Sequence, residues 1–150
     1  MSRSNTPYAE ATSGVAARDE ITRLLRRFGC ESIGFMDDFE KHEVLLAFRH
    51  RGRHMQLRAS AKGWAALYLR EHPYSYRIKR TQREHEANAL AQGQVAVNSI
   101  LRDWIKGQIM AIETGILSFE AVFMPYMLTN DGKPMYERVA QLGLLEAPAP

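Results

Sequence analysis

At 150 residues, with 45% hydrophobic and 25% charged side chains, the chain has the make-up of one folded domain with a sizeable core, which excludes a low-complexity polypeptide. The lone cysteine, Cys30, excludes an internal disulfide framework and suits a reducing cytoplasm, and no apolar signal-like region follows MSRSNTPYAEATSG. Net charge is only +3, and the longest apolar runs, VLLAF and AVFMPYML, are too short to cross a bilayer, so no membrane partner is expected.

Residues 1–14 are small and polar and read as a flexible tail. RDEITRLLRRF places Ile21, Leu24, Leu25 and Phe28 at helical spacing over 18–28, with Gly29 as a C-terminal cap. Three strands follow: ESIGFMDD, then HEVLLAFRHR and RHMQLRAS, in which apolar and polar residues alternate. DDFEK and HRGR are turn-like, so the three form an antiparallel meander. AKGWAALYLREHP is a short helix or an extension over the sheet edge, and YSYRIKR is a basic connector. A long helix is predicted from Thr81 to Glu113, on the stripe Val97, Leu101, Ile105, Ile109 and Ile112, with Gly115 breaking it. Ser118 caps a short helix whose length Pro125 limits, NDGK turns the chain, and PMYERVAQLGLLE is a last helix, from Pro134 to Glu146. The expectation is a single α+β domain over 15–146: N-terminal helix, three-stranded antiparallel meander, long helix and C-terminal helical pair, with a short tail at 147–150.

The near-balanced net charge conceals segregation. Eleven basic residues lie between Lys41 and Arg83, against only two acids, Glu43 and Glu71. Such a segment creates a local positive field that attracts polyanions, unless acids from elsewhere in the fold offset it. In FRHRGRHMQLR, Arg49, Arg51, Arg53 and Arg58 would offer planar donor forks to phosphate oxygens from one hairpin surface. Lys62, Arg77, Lys79, Arg80 and Arg83 would extend the path, while Tyr74 and Tyr76 stand where bases could stack.

Other chemistry finds little footing. His42, His50, His54, His72 and His85 fall in no zinc-binding spacing, no GxSxG elbow occurs, and no glycine-rich phosphate loop is present. Asp37, Asp38, Glu40 and Glu43 are the one compact carboxylate group; two-metal nucleases need such a group, but DDFEK is equally a hairpin turn. No catalytic residue and no cofactor is expected, and Cys30 reads as a bystander.

The RGRHMQLR hairpin followed by WIKGQIMAIETGILSFEAVFMPYMLTNDGK resembles a group of short phage and prophage proteins in which a basic hairpin precedes a long helix and a DGK-like turn. The element order is also similar to that of single-strand annealing proteins of the Red-beta type, which assemble into rings or filaments. A double-stranded RNA-binding domain shares that order but would want a lysine-rich helix start where AKGWAALYL stands. The resemblance implies a non-enzymatic DNA-binding protein of phage replication or recombination, cytoplasmic in a bacterial host, self-assembling and favouring single-stranded DNA. The alternative is an interaction module for a host or phage protein, with Trp64, Tyr68 and Phe123 as its apolar contacts.

Overall fold

The computed structural model describes residues 6–149. Its first helix, α1 (Val15–Phe28), turns Ala17, Ile21, Leu24 and Leu25 inward. It stops at Gly29, whose φ of 105° only glycine adopts without strain. There the Gly29 N–H donates to the Arg26 carbonyl (3.0 Å) and the Cys30 N–H to that of Leu25 (2.9 Å), a Schellman closure.

Strands β1 (Ser32–Asp38), β2 (Glu43–His50) and β3 (Arg53–Ser60) form an antiparallel sheet in the order β1-β2-β3. The first turn is held by the Asp38 carboxylate, which accepts the N–H groups of Glu40 (3.1 Å) and Lys41 (3.0 Å). The second is two residues long, and both Arg51 (φ 50°) and Gly52 (φ 78°) are left-handed, the geometry that matches the twist of a tight hairpin. Val44, Leu46, Phe48, Met55 and Leu57 point into the core. The opposite face, with Met36, Leu45, Ala47, Arg49, His54, Gln56 and Arg58, is covered by no helix of the described residues and is reached by solvent.

A short helix, α2 (Lys62–Glu71), runs away from the sheet, and the 32-residue α3 (Gln82–Glu113) returns along it. Thr81 caps α3 by accepting the Glu84 N–H at 3.1 Å. At about 1.5 Å per residue α3 is roughly 48 Å long and outreaches the sheet. Its N-terminal half packs on α2, so closely that a Cβ at Gly93 would fall 2.9 Å from the Ala61 carbonyl oxygen. Its C-terminal half carries Leu101, Ile105 and Ile109 beneath the sheet and beside α1. Between the two halves a polar clasp joins four elements. Arg18 Nη2 donates to Asp37 (2.7 Å) and its Nε to Asn98 (2.8 Å), while Gln94 donates to the Glu43 carbonyl (2.7 Å).

Helix α4 (Phe119–Phe123), capped by Ser118, continues into a 3-10 turn at Met124–Tyr126 and closes the far end of the core with Phe119, Val122 and Phe123. The chain then touches the free edge of β3, where the Leu128 N–H donates to the His54 carbonyl at 2.8 Å. The last helix, α5 (Met135–Leu142), is four residues shorter than the sequence reading at its C-terminal end, because Gly143 turns left-handed at φ 63°. Helix α1, in turn, starts three residues earlier than expected.

Of the stretch read as a flexible tail, residues 1–5 lie outside the described residues. The remainder is tied to the helices: the Trp64 indole N–H donates to the Pro7 carbonyl (2.7 Å), Gln92 to that of Ala9, and Thr6 to Glu71 (2.5 Å). The segment AKGWAALYLREHP resolves as helix. Trp64 on it is 7% exposed and Phe123 fully buried, and Tyr68 is half-buried in a stack between Trp64 and His72, with ring centres 5.4 and 4.3 Å apart. Trp64 and Phe123 are therefore core groups with almost no surface for the apolar interface assigned to them in the interaction-module alternative, and Tyr68 offers only part of its ring.

Candidate nucleic-acid interface

The meander fixes where each arginine goes. Register pairs Glu43 with Ser60 at one end of the sheet and His50 with Arg53 at the other. The first end lies at Gln94, midway along α3. The second lies at Phe28 and Phe119, beside the C-terminal part of α3, where Arg27 approaches Glu113 (3.8 Å). The loop of residues 72–81 sits beyond the first end, anchored where the His85 ring donates from Nε2 to the His72 carbonyl at 2.6 Å. From strand and helix rises, the hairpin tip and this loop are roughly 35 Å apart. The basic residues thus do not share one surface: Arg51 and Arg53 stand at one end, and Tyr74, Tyr76, Arg77, Lys79, Arg80 and Arg83 at the other. Arg58 and Lys62, at the end of β3 and the start of α2, belong with the second group. Adjacency in sequence suggested a single patch, and a strand running alongside α3 divides it.

Arg49 leaves the set for a different reason. Its Nε is 2.6 Å from Glu31 Oε2, because the pairing of Ser32 with Arg49 brings the residue before β1 alongside it. Among the described residues, Arg51, Arg53, Arg58, Lys62, Arg77, Lys79, Arg80 and Arg83 have no carboxylate oxygen within 4.0 Å, and all are exposed. Unneutralised cations of this kind are available to a polyanion. On the outer sheet face Arg58 shares its surroundings with Asp38, whose carboxyl is held below the ordinary carboxylate range first by the Lys41 N–H and, more weakly, by the Arg58 charge.

The aromatics divide too. Tyr76 is 86% exposed, with the Arg77 guanidinium 5.8 Å from its ring centre, whereas Tyr74 leans on His85 with ring centres 6.1 Å apart. One aromatic was not anticipated. Phe39, in the β1–β2 turn, is 71% exposed and forms the wall of an open groove of about 420 Å³ with His42, Arg83, Glu86, Ala87, Leu90 and Ala91. A large apolar side chain in a turn otherwise built of Asp, Glu and Lys was the available signal.

The carboxylate group does not converge. Asp37 faces inward to Arg18 and Asp38 outward to its own turn. Among the described residues no three His, Cys, Asp or Glu side chains are placed to hold a metal ion.

At the other end, His50 is 5% exposed and lies between Phe28 and Phe119, each 4.8 Å away centre to centre. Its Nδ1 is 3.9 Å from the Cys30 sulfur. Burial pushes the Cys30 thiol up to about 11, so it stays protonated and unreactive. Burial and then the Arg51 charge lower the His50 pKa below its ordinary 6.5, outweighing the Gly29 backbone and Glu31. The unfolded chain therefore takes up this proton first on acidification. Stability is full above the ordinary value and is lost as pH falls through the folded value. The urea midpoint is expected to drop between about pH 7.5 and about pH 5.5, and His50→Phe to remove part of that drop.

No family model matches the chain, and neither a curated protein nor a solved structure matches it.

Proposed function

We propose that the protein binds single-stranded nucleic acid, without chemistry on it, through the surface formed by the α2–α3 loop, the end of β3 and the β1–β2 turn. The observation that carries this reading is the group Lys62, Arg77, Lys79, Arg80 and Arg83, exposed and without an ion pair among the described residues, beside Tyr76 and Phe39, two aromatics open to solvent. Such cations displace condensed counterions from phosphates into solvent, and any base has a face to stack on an exposed ring, so the combination favours a flexible strand over a rigid duplex. DNA is the favoured strand, and annealing of complementary strands, in the phage replication or recombination setting the resemblance implies, is the sharper form of the same proposal.

Filter binding with single- and double-stranded oligonucleotides at two salt concentrations tests it. Affinity for the single strand should exceed that for the duplex and fall steeply with salt. Phe39→Ala should weaken single-strand binding about tenfold, within the ~1–3 kcal/mol of one base–aromatic stack, and leave the salt slope unchanged. Binding indifferent to salt would overturn the proposal.

A further inference from the structure

Helix α5 is amphipathic in sequence, yet none of its residues is buried. It and the outer side of α4 flank an open groove of about 430 Å³ whose walls are mostly apolar, Met124, Pro125, Tyr136, Val139 and Leu145, with Glu120 as the one charged side chain among them. Around it apolar side chains are left in water: Met124 is 46% exposed, Tyr136 45%, Leu144 68% and Leu145 75%. A soluble monomer rarely keeps a patch of this kind, and without the buried Phe119, Val122 and Phe123 the ranges 116–125 and 135–149 supply 22 surface residues, enough for one side of a standard interface of about 20–30 residues.

We infer that this C-terminal face is the contact between two copies of the chain. The patch holds both halves of a self-complementary joint. Leu144, the neighbour of Leu145 on the groove wall, is 68% exposed and does not itself line the groove, so a twofold axis would seat each copy's Leu144 in the other's groove. Both signs of charge are present, Glu120 on the groove wall and Glu137 on α5 against Lys133 just before that helix, and none of the three is in an ion pair among the described residues. A twofold-related copy therefore meets both signs of charge. The face lies by the C-terminal part of α3, where Tyr136 meets Tyr126 and Tyr126 meets Trp104, whereas the cationic loop precedes the N-terminal end of that helix. The dimer leaves both loops free, and the inference stands or falls independently of nucleic-acid binding.

Sedimentation velocity of the full chain, with reductant and no nucleic acid, tests it from low to high micromolar concentration. The wild type should pass from monomer to dimer. Leu144→Arg and the double variant Leu144→Arg/Leu145→Arg should raise the dimer dissociation constant by about 100-fold or more, as loss of a central apolar anchor does. Both residues are exposed, so the monomer fold, checked by circular dichroism, should not change. A wild type that stays monomeric throughout, as it would if the groove served a different protein, overturns the inference. So does an assembly that survives the variants unaltered.

Discussion

Replacing Arg77, Lys79, Arg80 and Arg83 together by alanine is expected to lower affinity for a single-stranded oligonucleotide by about 10²–10³-fold near 0.1 M salt. The figure follows from counterion release: each phosphate contact on a single strand contributes about 0.7 to the slope of log K against log salt, so four lost contacts flatten it by roughly 3. None of the four has an ion pair to break among the described residues, so folding stability should move little. The matched control is Arg51→Ala/Arg53→Ala at the hairpin tip. That tip is roughly 35 Å from the loop by strand and helix rises, several Debye lengths at about 0.1 M salt, and its loss should change affinity less than about threefold. The reverse ranking, a large loss at the hairpin and a small one at the loop, would place the strand at the wrong end of the molecule and sink the proposed surface. Equal losses would mean a path spanning the whole length of α3.

What could be read without coordinates was whatever the chain encodes locally. Alternation in VLLAF and HMQL assigned the core face of the sheet, Thr81 and Ser118 marked helix starts, and Gly29 marked a helix end, because each of these signals acts within a few residues. The α5 helix was overextended because GLLE continues an apolar pattern past Gly143, and only the left-handed turn there ends it. The candidate site was less accessible, since it depends on what lies opposite what. That Arg49 meets Glu31 follows from strand register, and that Arg51 and Arg83 stand far apart follows from β2 running alongside α3. Phe39 could have been suspected from its polar neighbours, but the groove it forms with Arg83 and Leu90 joins residues 44 and more positions apart. The burial of Trp64 has a similar origin. It is held by α3 and by the Pro7 carbonyl, a segment that composition alone marked as tail.

Phe123→Ala should cost about 3–5 kcal/mol, the usual range for removing a wholly buried phenyl ring, out of the ~5–15 kcal/mol that a domain of this kind has. Phe123 is 0% exposed and meets three layers at once, with ring centres 5.6 Å from Phe48 on the sheet, 6.0 Å from Trp104 on α3 and 5.2 Å from Phe119 on its own helix. Helix α4 has five residues, too few to hold their shape without tertiary packing, so the side chain that seats it also keeps it helical. The cavity cannot collapse easily because β2 and α3 frame it on two sides, which favours the upper part of the range. Urea unfolding followed by tryptophan fluorescence measures the loss, and Trp104, edge-on to the missing ring, should also report a changed native baseline. Phe39→Ala is the control: a ring 71% exposed should alter the midpoint by less than about 0.5 kcal/mol. Should Phe123→Ala cost under about 1 kcal/mol, the C-terminal segment cannot be docked on the sheet as described, and the apolar face of α5 would belong to a segment that folds only on pairing.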